Sequence, residues 1–185
     1  VKGLFVMDGS KRSAHGNAYF TGFGAARRIV FFDTLLATLT PAEVEAVLAH
    51  ELGHFKHRHI WQRVGLFAVI SLALLAALGW LSSQEAFYTG LGVSAQSEAL
   101  ALILFSAALP AVIFPFTPLM SLWSRKHEFE ADAYAMRQAN AEDLVGALVK
   151  LYRENAATLT PDPLHSLFYD SHPPAAIRIG HLRSA

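Results

Sequence analysis

The sequence predicts a mainly α-helical fold with a small antiparallel β element and an inserted two-helix transmembrane hairpin. Three observations carry that prediction. Residues 44–59, VEAVLAHELGHFKHRH, form an amphipathic helical stretch. Two uncharged apolar runs, residues 64–81 and 99–123, are each long enough to approach or cross a bilayer core. Residues 124–155 then return to charged, amphipathic helix.

The composition supports this reading. The 185 residues are enough for one domain with a substantial core, but 53% are hydrophobic and only 16% charged, against roughly 25% in soluble domains. With 15 basic and 15 acidic residues the formal charge is zero, so no nucleic-acid partner is expected. There is no cysteine, which excludes thiol catalysis, thiolate ligands and disulfides; any metal must be held by nitrogen and oxygen. The opening VKGLFVMDGS has neither an initiator methionine nor a basic region followed by an apolar run, and no signal peptide is expected from it.

The chain opens with strand-like runs. VKGLFVMD is apolar, DGSKRSAHGN is turn-rich, and NAYFTGF and RRIVFFDTLLAT, separated by Gly24 and Ala25, pair as an antiparallel hairpin. IVFFDTLL is too short for periodicity to decide between strand and helix. A helix start follows: Thr40 caps it, Pro41 takes the first position, and Glu43 completes a capping box. Val44, Val47, Leu48, Leu52 and Phe55 give this helix an apolar stripe.

The membrane spans are placed at residues 60–81 and 99–123. Pro110, Pro115 and Pro118 predict a kinked or partly unwound end near Trp123. The loop 82–98 carries Glu85 and Glu98 but no lysine or arginine, whereas Lys56, Arg58, Arg63, Arg125 and Lys126 flank the other ends. The positive-inside rule puts those ends on the cytosolic side and the loop on the other. SRKHEFEADAYAMRQ and NAEDLVGALVKLYREN read as helices, the latter capped by Asn140. TPDPLHS is a turn-rich connection whose prolines argue against regular structure until Leu164, and a last helix starts near Pro173.

In HELGH, His50 and His54 stand one helical turn apart, so both imidazoles can bind one metal ion. Glu51, rotated by about 100°, can reach its open side. That is a zinc protease arrangement, although the bare pattern also fits a helix with two half-buried histidines. A catalytic zinc takes a third protein ligand, and His57, His59, His127, Glu128, Glu130, Asp132, His165 and His172 are all candidates. His57 and His59 read better as a basic collar beside the membrane. Glu128 and Asp132 lie at i and i+4, so a metal-binding Glu128 would leave Asp132 placed to accept a hydrogen bond from a ligating histidine. HEFEAD reads equally as a solvated acidic face.

Several separated signatures occur in order: GSKRSAHGNAYFTGF with RRIVFFDTLL, HELGHFKHRH, the hydrophobic hairpin, SRKHEFEADAYA and SHPPAAIRI. Together they resemble the M48 zinc metallopeptidases, the Ste24-type CAAX prenyl endopeptidases more than the HtpX-type quality-control proteases. The resemblance implies a zincin-like (gluzincin) catalytic domain over residues 1–185, with one Zn2+ per chain held by His50, His54 and Glu128. It implies Asp132 supporting His50 and Glu51 as general base. Asn17 and Ala18 would lie on a strand edge along the extended substrate, where main-chain hydrogen bonds make little sequence demand. His172 and Arg178 would serve the substrate and transition-state region. From the residues themselves, His172 suits an oxyanion donor or a helix cap, and Arg178 could equally pair structurally with an acidic side chain.

The expected function is a zinc endopeptidase acting on membrane-associated peptides or proteins, extending to the C-terminal region of prenylated CAAX-type peptides. The alternatives are an HtpX-like protease that removes misfolded membrane proteins, and a non-catalytic zinc-binding membrane scaffold, which the intact His50, Glu51, His54 and Glu128 set argues against. The chain would be integral to a membrane, with its catalytic site on the cytosolic side. Full Ste24-type proteins have seven membrane helices around a chamber. With two, this chain resembles their catalytic C-terminal portion or an abbreviated homologue.

Overall fold

The computed structural model describes residues 3–11, 18–21, 28–154 and 161–184. The chain divides into two compact units, one comprising Val1–His57 with Ser121–Ala185, the other Arg58–Met120.

The first unit opens with a three-stranded sheet of β1 (Leu4–Met7), β2 (Ala18–Thr21) and β3 (Arg28–Phe32) in the order β1-β3-β2. The expected antiparallel pairing holds between β2 and β3, where Ala18 faces Phe31. The sheet is nevertheless mixed, because β1 pairs parallel to β3, with Leu4 opposite Ile29. Ile29, Val30 and Phe31 of the central strand are buried, while Leu4 to Met7 of the edge strand are exposed. The ambiguous run IVFFDTLL is both strand and helix: β3 ends at Phe32 and α1 (Asp33–Thr38) begins at once. Asp33 makes that junction firm, its Oδ1 accepting the N–H groups of Gly9, Ser10 and Thr34.

Helix α2 (Pro41–Lys56) starts with the expected capping box. Its buried face keeps part of the expected stripe, with Val47 buried and Val44 and Leu48 packed beside it, but is rotated toward Ala46, Ala49, His50 and Gly53, and Phe55 is exposed. The reason is close helix crossing. A Cβ on Gly53 would stand 2.8 Å from the Ala131 Cα of α6 (Thr117–Ala135), so the two backbones touch where Gly53 has no side chain. Small residues at the crossing bring the polar groups flanking it within reach of one another. Helix α7 (Ala141–Glu154) packs on α2 through Leu144, Val145 and Leu148 against Ala46 and Ala49, joined by Leu182 of the last helix. A second cluster, Ile29, Phe31, Leu35, Leu39, Val47 and Ala147, fastens the sheet to the same pair.

The second unit contains α3 (His59–Leu81), α4 (Glu85–Gly90) and α5 (Glu98–Ile113), followed by a 3-10 turn at Phe114–Phe116 and the start of α6. The α4 helix lies in the predicted loop, where the Tyr88 hydroxyl donates to the carbonyls of Ser82 and Ser97 at 2.8 and 3.2 Å. Two helical stretches, His59–Leu81 and Glu98–Ala135, are long and apolar enough to cross a membrane, and their apolar windows are 0% and 6% buried. A soluble core helix would be covered; the first presents Val69, Leu72 and Trp80 outward and the second Leu102 and Ile103.

The kinked or partly unwound end expected near Trp123 lies instead at Phe114–Phe116, and helix continues unbroken from Thr117 through Trp123 to Ala135. Pro115 explains the position. It has no N–H to donate and crowds the preceding turn, whereas the residues around Trp123 include no such breaker. Consequently Glu128 and Asp132 sit on the same helix that ends the second apolar run. The remaining elements are α8 (Pro163–Tyr169) and α9 (Ala175–Ser184), joined by residues 170–174. As expected, the last helix follows the His172-Pro173-Pro174 sequence.

Candidate metal centre

Three groups converge where α2 crosses α6. His50 Nε2 and His54 Nε2 are 3.2 Å apart, and the Glu128 carboxylate lies 3.6 Å from the first and 3.4 Å from the second. Among the described residues, Glu128 is the third-ligand candidate that the fold brings between the two histidines. The spacing tests the fit of a metal. Two ligand atoms about 2.0–2.1 Å from a tetrahedral ion stand about 3.3–3.4 Å apart, which matches these three separations. In addition, Glu128 Oε2 is buried without a well-formed hydrogen bond.

Charge balance points the same way. The Asp132 Oδ1 atom lies 2.8 Å from His50 Nδ1, and Arg178 grips Asp132 with Nε at 2.9 Å and Nη2 at 2.5 Å. With both imidazoles neutral, Glu51, Glu128 and Asp132 confront one guanidinium. The excess of two negative charges suits a divalent cation. The titration shifts express that excess. Burial disfavours the charged form of His50, yet hydrogen bonds to Asp132 and Glu128 outweigh it and carry its pKa up to about 9. Burial raises the Glu51 carboxyl despite the neighbouring imidazoles. For Asp132, burial is opposed by hydrogen bonds from His50 and Arg178, which hold its carboxyl below the usual range.

His172 comes from the 170–174 connection and places Nδ1 3.0 Å from Glu128 Oε2, with its ring 63% exposed. Pro173, beside it, is fully buried. Arg178 reaches the site from α9, with Nη1 3.5 Å from Glu128 Oε2, and its main engagement is the two-pronged contact with Asp132. Ala18 opens β2 on the edge of the sheet, and Asn17 lies outside the described residues. Two participants went unnoticed in the sequence. The Tyr152 hydroxyl donates to the Pro173 carbonyl at 3.3 Å, and Arg125 donates to the carbonyl of Ser166. Neither belongs to a recognisable spacing pattern, so no local signal marked them.

A helix presenting two imidazoles one turn apart, crossed by a second helix that adds a carboxylate, is the metal-binding arrangement of HExxH metallopeptidases. The chain belongs to peptidase family M48, whose profile matches residues 1–185. It is 40% identical to a CAAX prenyl protease 1 homolog of Arabidopsis thaliana over 97% of this chain and 42% of that protein. It is 35% identical to CAAX prenyl protease 1 of Saccharomyces cerevisiae, over 95% of this chain and 42% of that one. The crystal structure of S. mikatae Ste24p superposes with a TM-score of 0.86 at 35% identity, covering 97% of this chain and 45% of that chain. The chain therefore spans less than half the length of these relatives.

Proposed function

We propose that the protein is a zinc-dependent endopeptidase acting on membrane-associated substrates, including prenylated peptides of the CAAX type. One observation carries the reading: His50, His54 and Glu128 converge at tetrahedral spacing with the Glu51 carboxylate beside them. The substrate class follows the CAAX prenyl proteases that the chain resembles over nearly its whole length.

His50, His54 and Glu128 would hold one Zn2+. That ion supplies Lewis acidity, lowering the pKa of water and polarising a peptide carbonyl. The chain's own groups do the rest. Glu51, with its basicity raised by burial, takes a proton from the attacking water and returns it to the leaving amine. His172, whose own ring is exposed, stands 3.0 Å from Glu128 and would donate to the oxygen on which negative charge develops. Asp132 holds the His50 ring, and Arg178 holds Asp132. Among the described strands β2 forms an edge, and from Ala18 onward it would offer main-chain hydrogen bonds to an extended substrate; the same role is proposed for Asn17, which lies outside the described residues. The basic residues flanking the apolar runs support a cytosolic site.

Glu51→Gln tests the reading. The variant should retain zinc and lose peptide hydrolysis by about two orders of magnitude or more. Hydrolysis at the parent rate would remove Glu51 as the base. Cleavage of matched prenylated and unprenylated peptides decides the substrate class; equal rates would remove the prenyl requirement.

A further inference from the structure

We propose that Arg125 and Tyr152 are positioning residues that clamp the main chain on either side of His172 and so hold its imidazole beside Glu128. The inference rests on the role given to His172 above. His172 needs outside support, because its ring is 63% exposed and its segment, residues 170–174, lies between two helices with no regular structure of its own. Little side-chain packing fixes such a ring, so its place depends on how firmly the backbone beneath it is held.

Two half-buried contacts supply that hold. Upstream, Arg125 Nη2 donates to the Ser166 carbonyl and lies 3.2 Å from Ser166 Oγ and 3.5 Å from the Asp170 carbonyl. A cation at those carbonyls also suits the C-terminal turn of α8. Downstream, the Tyr152 hydroxyl donates to the carbonyl of Pro173, a residue that is itself fully buried. His172 is thus bracketed within two residues on one side and one on the other.

The origin of the two clamps gives them a common purpose. Arg125 lies three residues before Glu128 on α6, about 4.5 Å along the axis, so one rigid helix carries both the carboxylate and the grip on the segment that brings His172 to it. Tyr152 lies on α7, which packs against the helix bearing His50 and His54. The loop is therefore tied directly to α6 and, through α7, indirectly to α2, and the 3.0 Å approach of His172 to Glu128 lies between the two ties.

The test uses the zinc-loaded chain with Arg125→Ala, Arg125→Lys and Tyr152→Phe, each in the parent and in a His172→Ala background. Tyr152→Phe removes one oxygen and keeps the ring, so it reports even if an Arg125 variant folds poorly. Peptide-resolved hydrogen exchange should rise about tenfold over residues 165–172 in Arg125→Ala, with α2 unchanged. Peptidase kcat should fall about tenfold in Arg125→Ala and severalfold in Tyr152→Phe, with KM within about twofold, and Arg125→Lys should recover part of the loss. In the His172→Ala background the same substitutions should cost nothing further. Unchanged exchange, or an equal loss of kcat in both backgrounds, overturns the clamp. Raised exchange with kcat intact in both His172→Ala and Arg125→Ala overturns the catalytic role of His172 instead.

Discussion

Asp132 is fully buried directly behind His50, with its Oδ1 2.8 Å from His50 Nδ1. A carboxylate there favours the tautomer with the proton on Nδ1, which leaves Nε2 as the atom turned toward His54 and Glu128. Asp132→Asn keeps the shape but weakens the acceptor and the hold on Arg178. Zinc affinity, measured by competition with a chromophoric chelator, should fall about 10–100-fold. An unchanged affinity would mean that the His50 ring is oriented by its packing alone.

Arg178 is the counterpart of that buried carboxylate. Its guanidinium is almost wholly buried, and burial disfavours its charge, yet the two hydrogen bonds to Asp132 more than offset this and keep it firmly protonated. Arg178→Ala would leave the buried Asp132 with His50 as its remaining charged-group partner and should cost about 3–5 kcal/mol in denaturant unfolding of the zinc-free protein. Arg178→Lys restores the charge without the planar fork and should recover only part of the loss. Full recovery by lysine would show that charge, not geometry, holds the pair.

The two imidazoles, the capping box and the apolar spans were legible because each is a local pattern with a period or a fixed spacing. Glu128 was not, on spacing alone: it lies 74 positions after His54, and only the crossing of α2 and α6 selects it. Resemblance supplied the assignment that periodicity left open. Gly53 sat inside the motif without revealing that it is where the helices touch, since contact with Ala131 is set by tertiary packing. The parallel pairing of β1 with β3 was hidden for the same reason: alternation identifies a strand but not its partner. Pro115 shows a local signal wrongly weighted, because three prolines predicted an interruption but not which one would make it.

Glu43 links the fold to pH. Burial pushes its carboxyl up, but the Lys150 ammonium at 2.6 Å and the Thr40 N–H at 2.7 Å outweigh it and hold the pKa below its ordinary value of 4.5. A depressed carboxyl adds stability that is complete above about 4.5 and disappears as pH falls through the lower folded value. Glu43→Gln should therefore be less stable than the parent near neutrality, and the difference should shrink steadily below pH 4.5. A gap that stays constant with pH would show that the carboxylate acts through shape rather than charge. Gly146→Ala probes the same contact, because its new Cβ would stand 2.8 Å from Glu43 Oε1.

The absence of cysteine makes membrane orientation directly measurable, since any thiol introduced is the only one in the chain. Ser94→Cys lies in the stretch between the two apolar helices, and Lys126→Cys lies just beyond the second apolar run. Both parent side chains are exposed, so neither change disturbs packing. In sealed vesicles of known orientation, a membrane-impermeant maleimide should reach position 94 only from the non-cytosolic face and position 126 only from the cytosolic face. The physical basis is the lack of lysine and arginine in residues 82–98 against the basic residues at the opposite ends. The reverse labelling pattern would invert the orientation and place the candidate metal centre on the far side of the membrane from any cytosolic prenylated substrate. Labelling of both positions from one face only would show that the apolar helices do not each cross.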